Sequence, residues 1–432
     1  MARKMKDSGI EWIGEIPEGW EIVPVRSCFD EVRTKNTDGQ EQNALQFKSG
    51  NIISKTNFNA SMDDYVADTI TNYTVVLPDT VMINGLNLNY DFKSLRVALV
   101  KEKGVITSAY LAIFPDRKKI SPQYATYLFK GYETKMAFHN MGAGIRKTLG
   151  YKEFKNQPLL LPNEKEQNKI SAYLDSKCSH IDIMLSKIRS SIEEYKKLKQ
   201  AVITQAVTKG VRGEREMKDS GVDYIGQIPA EWVLGKLRNV GDTQNGISKS
   251  SEFFGKGFPF VSYGDVYKNY SLPSTVSGLV DSTSEEQKRY SVKKGDIFFT
   301  RTSETIEEVG FSCVCEKDIP NATFAGFLIR VRPFSDKLYT PYAKYYFRSS
   351  HLRFYLVKEM NLVTRASLGQ SLLKSMPVLL PPLEEQKEIA DYLDAKCAEI
   401  DKLIAKKEQL VKELESYKKS LIYEVVTGKR EV

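Results

Sequence analysis

The feature that most constrains this chain is a long internal repeat. Residues 158–208 and 377–427 align without a gap at an offset of 219, with 20 identities in 51 positions. A shorter repeat, MKDSGIEWIGEIPEGW and MKDSGVDYIGQIPAEW, begins at Met5 and Met217 and matches at ten of sixteen positions. The intervening stretches show little similarity, except that IRKTLG (145–150) faces TRASLG (364–369). The chain therefore combines a duplicated frame with two variable inserts of similar size.

Each copy of the long repeat has the pattern of one long helix. Glu-rich turns follow Pro162 and Pro382, neither run contains an internal Gly or Pro, and each stops at a glycine, Gly210 or Gly428. Apolar or small residues recur at alternating spacings of four and three, which is a heptad seam that requires a helical partner. The predicted seam comprises Leu174, Cys178, Ile181, Leu185, Ile188 and Ile192 in the first copy, and Leu393, Cys397, Ile400, Ile404, Val411 and Leu414 in the second.

Connectivity predicts how these helices pair. The first, over about 164–209, would be roughly 70 Å long at 1.5 Å per residue and leads from one insert to the other. The second, over about 383–427, leaves the second insert, so packing along the first requires the opposite direction. The chain would then end near its beginning, and the short repeat would be the joint between each insert and the helix pair.

The inserts contain short β-branched and aromatic runs punctuated by Gly, Asn, Asp and Pro, with helical patterns at 121–138 and 340–356. We predict a mixed α/β (α+β) fold: two globular α/β domains joined by two long antiparallel coiled-coil helices, with internal pseudo-two-fold symmetry. The predicted divisions are a joint at 1–20, a first domain at 21–157, a long helix at 158–212, a joint with a second domain at 213–376, and a second long helix at 377–432.

Composition narrows the class of partner. The formal net charge of +8 suggests a polyanion, and because no segment is a polybasic tail, any nucleic-acid surface must be built by folding. No apolar run reaches the roughly 20 residues of a membrane span, and the N-terminus lacks a signal peptide, so we expect a cytoplasmic protein without a membrane partner. Five cysteines and three scattered histidines form no pattern of metal ligands.

The motifs of covalent chemistry are missing from the sequence. There is no glycine-rich cofactor loop after a strand, no Asn/Asp-Pro-Pro-aromatic tetrapeptide of an adenine methyltransferase, and no phosphate-binding G-x-x-x-x-G-K-[ST]. We therefore predict that the chain is not an enzyme, has no catalytic or metal site, and binds no cofactor itself.

What remains suits recognition of DNA, which requires Arg, Asn and Gln for base edges and Lys, Ser and Thr for phosphates. Polar loops follow apolar strand-like runs in INGLNLNYDFKS (83–94) and FFTRTSET (298–305). The candidate DNA-binding residues are Asn84, Asn87, Asn89, Lys93, Arg146 and Lys147 in the first half, and Lys249, Tyr263, Thr300, Arg301, Thr302, Ser303 and Arg365 in the second.

Other interpretations of these residues stay open at this point. The loops can be ordinary polar loops. Arg146 and Arg365, which recur at the same offset, suit a phosphate contact and a structural brace equally well. Cys178 and Cys397 suit small apolar core positions better than a redox role.

These motifs together resemble the specificity subunit of type I restriction–modification enzymes. The resemblance rests on SGIEWIGEIPEGWE and SGVDYIGQIPAEW, on GVITSAYLAIFP with FLIRVRP, and on LPNEKEQNKISAYLD with LPPLEEQKEIADYLD, and it covers nearly the whole chain. The first helix departs from the pattern, since Asn163-Glu164 stand where the second has Pro382-Leu383.

The resemblance implies that each insert is a target recognition domain reading one half of a bipartite, asymmetric site in double-stranded DNA. The helix pair would set the unread spacer and dock two modification subunits, which carry S-adenosylmethionine and methylate adenine N6. Two restriction subunits would add cleavage that requires ATP and Mg²⁺. The main alternative is a two-headed coiled-coil scaffold for proteins that does not bind DNA; an enzyme with an unrecognised site is a third.

Overall fold

The computed structural model describes residues 3–55, 70–93, 95–141, 147–303, 309–359 and 366–432. The chain divides into two compact units: unit 1 comprises Met1–Arg189 and Gln409–Val432, and unit 2 comprises Ser190–Glu408. The division falls within both long helices, so each unit contains part of each. Both units mix helices and strands, which confirms the predicted fold class.

The two long helices have nearly the predicted bounds, and the shorter helices belong to the inserts. The α-helices of the described residues are Pro122–Thr134, Tyr151–Phe154, Glu164–Lys209, Tyr263–Lys268, Ser284–Arg289, Thr340–Tyr346, Ser350–Glu359, Gln370–Ser375 and Leu383–Val426. The helical pattern at 340–356 is interrupted at Phe347–Ser349, where the Arg348 side chain turns to the carbonyls of Val266, Tyr267, Asn269 and Ser312.

The strands are short. Those of unit 1 are Met5–Asp7, Glu15–Pro17, Glu21–Pro24, Phe29–Glu31, Leu45–Lys48, Asn51–Ser54, Thr74–Val76, Val81–Ile83, Val97–Leu99, Gly104–Ile106, Leu111–Pro115 and Pro158–Leu161. Those of unit 2 are Met217–Asp219, Gln227–Pro229, Val233–Lys236, Gly241–Asn245, Phe254–Val261, Leu279–Val280, Ile297–Thr300, Thr302–Ser303, Ser312–Val314, Thr323–Phe324, Leu328–Pro333, Ala366–Ser367 and Pro377–Leu380.

A four-stranded antiparallel sheet of the same order forms the centre of each insert. In unit 1 the order across the sheet is Phe29–Glu31, Leu111–Pro115, Val81–Ile83, Val97–Leu99. In unit 2 it is Gly241–Asn245, Leu328–Pro333, Ile297–Thr300, Ser312–Val314. The inserts are therefore also duplicates in topology, although their sequences hardly align.

The long helices run antiparallel within each unit, as predicted. In unit 1 the Lys418 ammonium pairs with Asp182 at 2.6 Å, and Arg189 pairs with Glu415. The residue number therefore rises along one helix as it falls along the other. In unit 2, Lys199 pairs with Asp401 at 2.6 Å, and Arg212, just beyond the end of the first long helix, pairs with Glu388 at 2.8 Å, which again gives opposite directions.

Part of the predicted seam belongs to the hydrophobic cores of the two units: Leu174, Cys178, Ile181 and Leu185 to that of unit 1, and Leu393 and Cys397 to that of unit 2. Leu174, Cys178, Ile181, Leu185, Ile192, Leu393, Cys397 and Ile400 are buried, and Ile188, Ile404, Val411 and Leu414 are half-buried. Lys407 occupies the seam position between Ile404 and Val411, and its ammonium lies 5.5 Å from the centroid of the Tyr195 ring. Burial raises the pKa of the Cys178 and Cys397 thiols, so both remain protonated packing groups.

The short repeat forms the same joint in both units. The indole Nε1 of Trp20 donates to Glu166 over 2.9 Å, and that of Trp232 donates to Glu385 over 2.9 Å. Arg3 pairs with the same glutamate as Trp20, and its guanidinium lies 5.4 Å from that ring.

Arg215 repeats this arrangement in unit 2, with Glu385 at 2.6 Å and the Trp232 ring at 5.4 Å. The repeated tryptophan and glutamate therefore tie the short repeat to the first turn of each long helix.

A second duplicated contact seats each insert on its helix. The Gln167 amide donates to the carbonyls of Lys119 and Pro162, and the Gln386 amide donates to those of Lys337 and Pro381, all over 2.8–3.0 Å. Both glutamines are 1% exposed. A glutamine buried to this extent must have its hydrogen bonds satisfied, and the Glu-Gln pair of both copies places its amide where two carbonyls accept from it.

Candidate nucleic-acid interface

The predicted polar loops leave the same edge of the two matching sheets. In unit 1 the loop follows the central strand Val81–Ile83, and in unit 2 it follows Ile297–Thr300. The Leu149 amide donates to Gly85 O over 3.0 Å, and the Leu368 amide donates to Arg301 O over 2.7 Å. Leu149 and Leu368 belong to IRKTLG and TRASLG, so the described ends of these two motifs lie beside the loops, although they are far apart from them in sequence.

Close packing explains a glycine in the first loop. A Cβ at Gly85 would lie 2.4 Å from Leu149 O, well inside a normal contact. A larger residue there would separate the loop from the 147–149 segment, so Gly85 is required by the approach of two backbones.

The unit 1 loop displays several of the predicted side chains. Asn87, Lys93 and Lys147 are exposed, whereas Asn84 and Asn89 are half-buried. The Asn84 amide oxygen accepts from the Leu86 N–H over 3.2 Å, so it shapes the loop. Asn87 has a φ of 53° and Lys147 a φ of 38°, a left-handed conformation that asparagine adopts more readily than most residues.

A buried arginine that the sequence reasoning missed holds this loop from beneath. Arg96 is 1% exposed, and its guanidinium donates to the carbonyls of Asn84, Leu86 and Asp91 over 2.9, 2.9 and 2.5 Å. Its charge also lies 3.7 Å from the Asp91 carboxylate. The signal in the sequence was an arginine inside the apolar run SLRVALV, where a charge is costly unless it is fully paired.

Two further groups support the same loop. The Glu133 carboxylate accepts the backbone N–H of Arg96, and burial raises the pKa of Glu133 to about 7. His139 stacks on Phe92 with ring centroids 5.1 Å apart, and its Nε2 lies 3.2 Å from Asp91 O. The loop is therefore fixed on its inner side while its outer side chains remain in solvent, which is the arrangement of a preorganised binding loop.

In unit 2 the predicted residues divide into structural and available ones. Thr300 is fully buried, and its hydroxyl accepts the Phe311 N–H over 2.9 Å, so this side chain is not available for a contact with DNA. Thr302 is half-buried in the short strand that pairs with Ala366–Ser367. Arg301 is half-buried, and within the described residues its guanidinium makes no hydrogen bond or ion pair.

Lys249 and Tyr263 also take part in internal contacts. The Lys249 ammonium donates to Glu286 and to the Asp281 carbonyl, both over 2.7 Å, and this donation lowers the pKa of Glu286. Tyr263 stacks on Tyr267 with centroids 5.9 Å apart. Lys249 is thus occupied as a brace, whereas Tyr263 remains partly accessible.

Three candidates cannot be placed. Arg146, Arg365 and the side chain of Ser303 lie outside the described residues. Their neighbours Lys147 and Leu368 lie beside the two loops, so the choice between a phosphate contact and a brace stays open for both arginines.

The described residues contain no group of three or more His, Cys, Asp or Glu that could hold a metal ion. None of their helices is long and apolar enough to span a bilayer. Burial raises the pKa of the Cys313 and Cys315 thiols to about 12, so both are protonated at neutral pH.

Comparison with known proteins yields one consistent group of relatives. A family model described as the type I restriction modification DNA specificity domain matches residues 229–413. The specificity subunit of the type I restriction enzyme MjaVIII from Methanocaldococcus jannaschii is 25% identical over 419 residues, which cover 96% of this chain and 93% of that protein. The StySPI specificity subunit from Salmonella potsdam is 23% identical over 427 residues, which cover 96% and 90%.

A solved structure shares the fold. A chain from a study of complex assembly and conformational transition of the type I R-M system matches with a TM-score of 0.71 and 18% identity. The match covers 96% of this chain and 99% of that one. The likeness in fold therefore extends over both units.

Proposed function

We propose that this chain is a specificity subunit of a type I restriction–modification system and determines the DNA sequence that the system recognises. The observation that carries the proposal is the pair of matching sheets with unlike polar loops at the same edge. A duplicated support with divergent loops is what two readers of different sequences require, because the support fixes geometry and the loops supply base contacts.

In this proposal each unit reads one half of a bipartite, asymmetric site. Asn87, Lys93 and Lys147 would contact DNA from unit 1, and Arg301 from unit 2. Asparagine pairs with adenine and arginine with guanine in the major groove, while lysines contact phosphates. The two long helices, each of which contributes to both units, would set the number of unread base pairs between the halves.

The catalytic steps would belong to partner subunits. Two modification subunits would bind S-adenosylmethionine and methylate adenine N6, and two restriction subunits would use ATP and Mg²⁺ for cleavage.

The test is binding and methylation by the complex. The chain is co-expressed with its cognate modification subunit, and single-molecule sequencing of host DNA identifies methylated adenines and their motif. A duplex with that motif should be bound with an affinity that falls steeply with salt, because phosphate contacts release counterions. Absence of duplex binding by the complex would favour the protein scaffold, and methyl transfer by the chain alone would show an enzyme.

A further inference from the structure

An exposed aromatic side chain lies beside Arg301 in unit 2. Phe327 is 64% exposed, and its carbonyl accepts the Arg301 N–H over 2.8 Å. It lies just before the strand Leu328–Pro333, whose residue Leu328 pairs with Thr300. Phe327 is therefore at the edge of the sheet from which the proposed reading loop leaves.

The backbone of Phe327 is held firmly, so its exposure is built into the fold. The Leu328 N–H donates to Ala325 O over 2.9 Å, which closes a tight turn around Phe327. Phe324, which precedes this turn, and Leu328, which ends it, are fully buried. A Cβ at Gly326 would lie 2.4 Å from the Ser248 hydroxyl, so a neighbouring segment packs directly against the turn.

The same sheet offers a control for Phe327: a second phenylalanine that is equally exposed but lies at the opposite edge. Phe334 follows the other end of the strand Leu328–Pro333 and is 67% exposed. Its N–H donates to Val240 O, away from the reading loop. Within the described residues neither ring has an aromatic or cationic partner, so a general effect of removing an exposed phenylalanine should be the same at both positions.

Unit 1 also has exposed aromatic groups at the matching edge, but from another segment. Tyr90 is 72% exposed and Phe92 57% exposed, and both lie in the loop that follows the central strand. Two unlike inserts thus place aromatic surface beside cationic and amide groups at the same edge. Exposed apolar groups rimmed by polar ones are typical of binding surfaces.

We propose that Phe327 is a specificity-determining DNA contact of unit 2, where its ring packs against the bases of the half-site while Arg301 supplies the polar contact. The chemistry that fits is a base step or a thymine methyl, since both offer apolar surface next to hydrogen-bonding edges. The cationic neighbour favours duplex DNA over an apolar protein surface. The inference rests on the proposed function.

The test compares F327A with F334A in the full complex with the modification subunit. The probe is a duplex with the motif that methylation sequencing finds for the unaltered complex. The half that unit 2 reads is the half that changes when residues 233–376 are exchanged. F327A should weaken binding about tenfold and reduce discrimination against a scrambled unit 2 half, with discrimination at the other half unchanged. F334A should bind like the unaltered chain.

Thermal unfolding of both variants is expected to match the unaltered chain, because neither ring is buried. F327L retains apolar contact without the ring and should bind with intermediate affinity, which a misfolded variant would not do. Unchanged affinity and unchanged motif for F327A would overturn the role of Phe327 and leave the proposed function intact. An equal loss in F334A would also overturn it. Failure of the unaltered complex to bind any duplex would overturn both proposals.

Discussion

Substituting Glu385 by alanine should destabilise unit 2 far more than substituting Glu388 three residues later. Glu385 is fully buried in the first turn of the second long helix, where it accepts the Trp232 indole N–H over 2.9 Å and pairs with Arg215 at 2.6 Å. Glu388 pairs with Arg212 on the surface, where both side chains are nearly half exposed. Both are glutamate–arginine pairs of the same helix, and they differ in burial.

The magnitude follows from what each substitution leaves behind. Removing one partner of a buried ion pair costs about 3–5 kcal/mol, because the other charge stays buried. Arg215 would keep Glu231 at 3.0 Å and the Lys209 carbonyl at 2.8 Å, so we expect the lower end, about 3 kcal/mol. In a unit of this size that corresponds to a melting temperature lower by about 6–12 °C. The exposed pair of Glu388 should contribute little.

Thermal unfolding followed by circular dichroism, with hydrogen exchange at the hairpin of Met217–Asp219 and Gln227–Pro229, measures both effects. E385A should melt earlier and exchange faster in the hairpin, whereas E388A should resemble the unaltered chain. Equal behaviour of E385A and E388A would show that the repeated tryptophan–glutamate contact does not hold the joint.

Three further predictions concern other parts of the molecule. Exchanging residues 233–376 for another insert should change one half of the methylated motif, and a change in both halves would show that the units do not read independently. Inserting about four residues near 198–209 should lengthen the spacer without altering either half of the motif, since the inserted turn lies outside both inserts. If methylome sequencing finds an unchanged spacer, the helices do not set the number of unread base pairs. Burial lowers the pKa of His351 to about 4, so below about pH 6.5 the unfolded chain binds a proton that the folded chain does not, and stability should fall as the pH falls. Melting temperatures between pH 7 and pH 5 should fall more in the unaltered chain than in H351Q, and parallel curves would contradict this assignment.

The sequence predicted the long helices well, because several local signals agreed. The seam, the glutamates of the first turns and the terminal glycines all marked Glu164–Lys209 and Leu383–Val426 to within about a residue. The repeat itself predicted the joint. The same contact forms in both units because the residues that make it, such as Trp20 and Trp232, are themselves repeated.

The candidate site was less predictable, because the type of a residue does not show whether its side chain points to solvent or into the core. A polar residue at the end of a strand predicts a contact for Thr300, but its side chain is buried and accepts the Phe311 N–H. A cation in a loop predicts the same for Lys249, but Glu286, 37 residues away, accepts from its ammonium. No local signal predicts the role of Arg96, because only the fold brings its carbonyl partners to it.

The sequence did not predict that the two inserts share one strand order in their central sheets. A buried strand such as Val81–Ile83 or Ile297–Thr300 needs only apolar residues of suitable size, so its sequence can change while its neighbours in the sheet stay the same.

The direction of the strands explains how the loops proposed to read DNA can diverge while the contact with the long helix stays the same. In unit 2 the strand Leu328–Pro333 runs antiparallel to Ile297–Thr300, so Arg301 and Phe327 lie at one edge of the sheet and Pro333 at the other. Beyond Pro333 the chain reaches Lys337, whose carbonyl binds Gln386 of the long helix.

Substitutions in Phe327 or in the side chain of Arg301 lie at the opposite edge from this contact, so they are expected to leave the hydrogen bond between Lys337 and Gln386 in place. That separation accounts for a frame that repeats at 20 of 51 positions and inserts that share a sheet order with almost no sequence. It also predicts where variants with a new half-site should arise: in the loops after Ile83 and Thr300, and in the turn that carries Phe327.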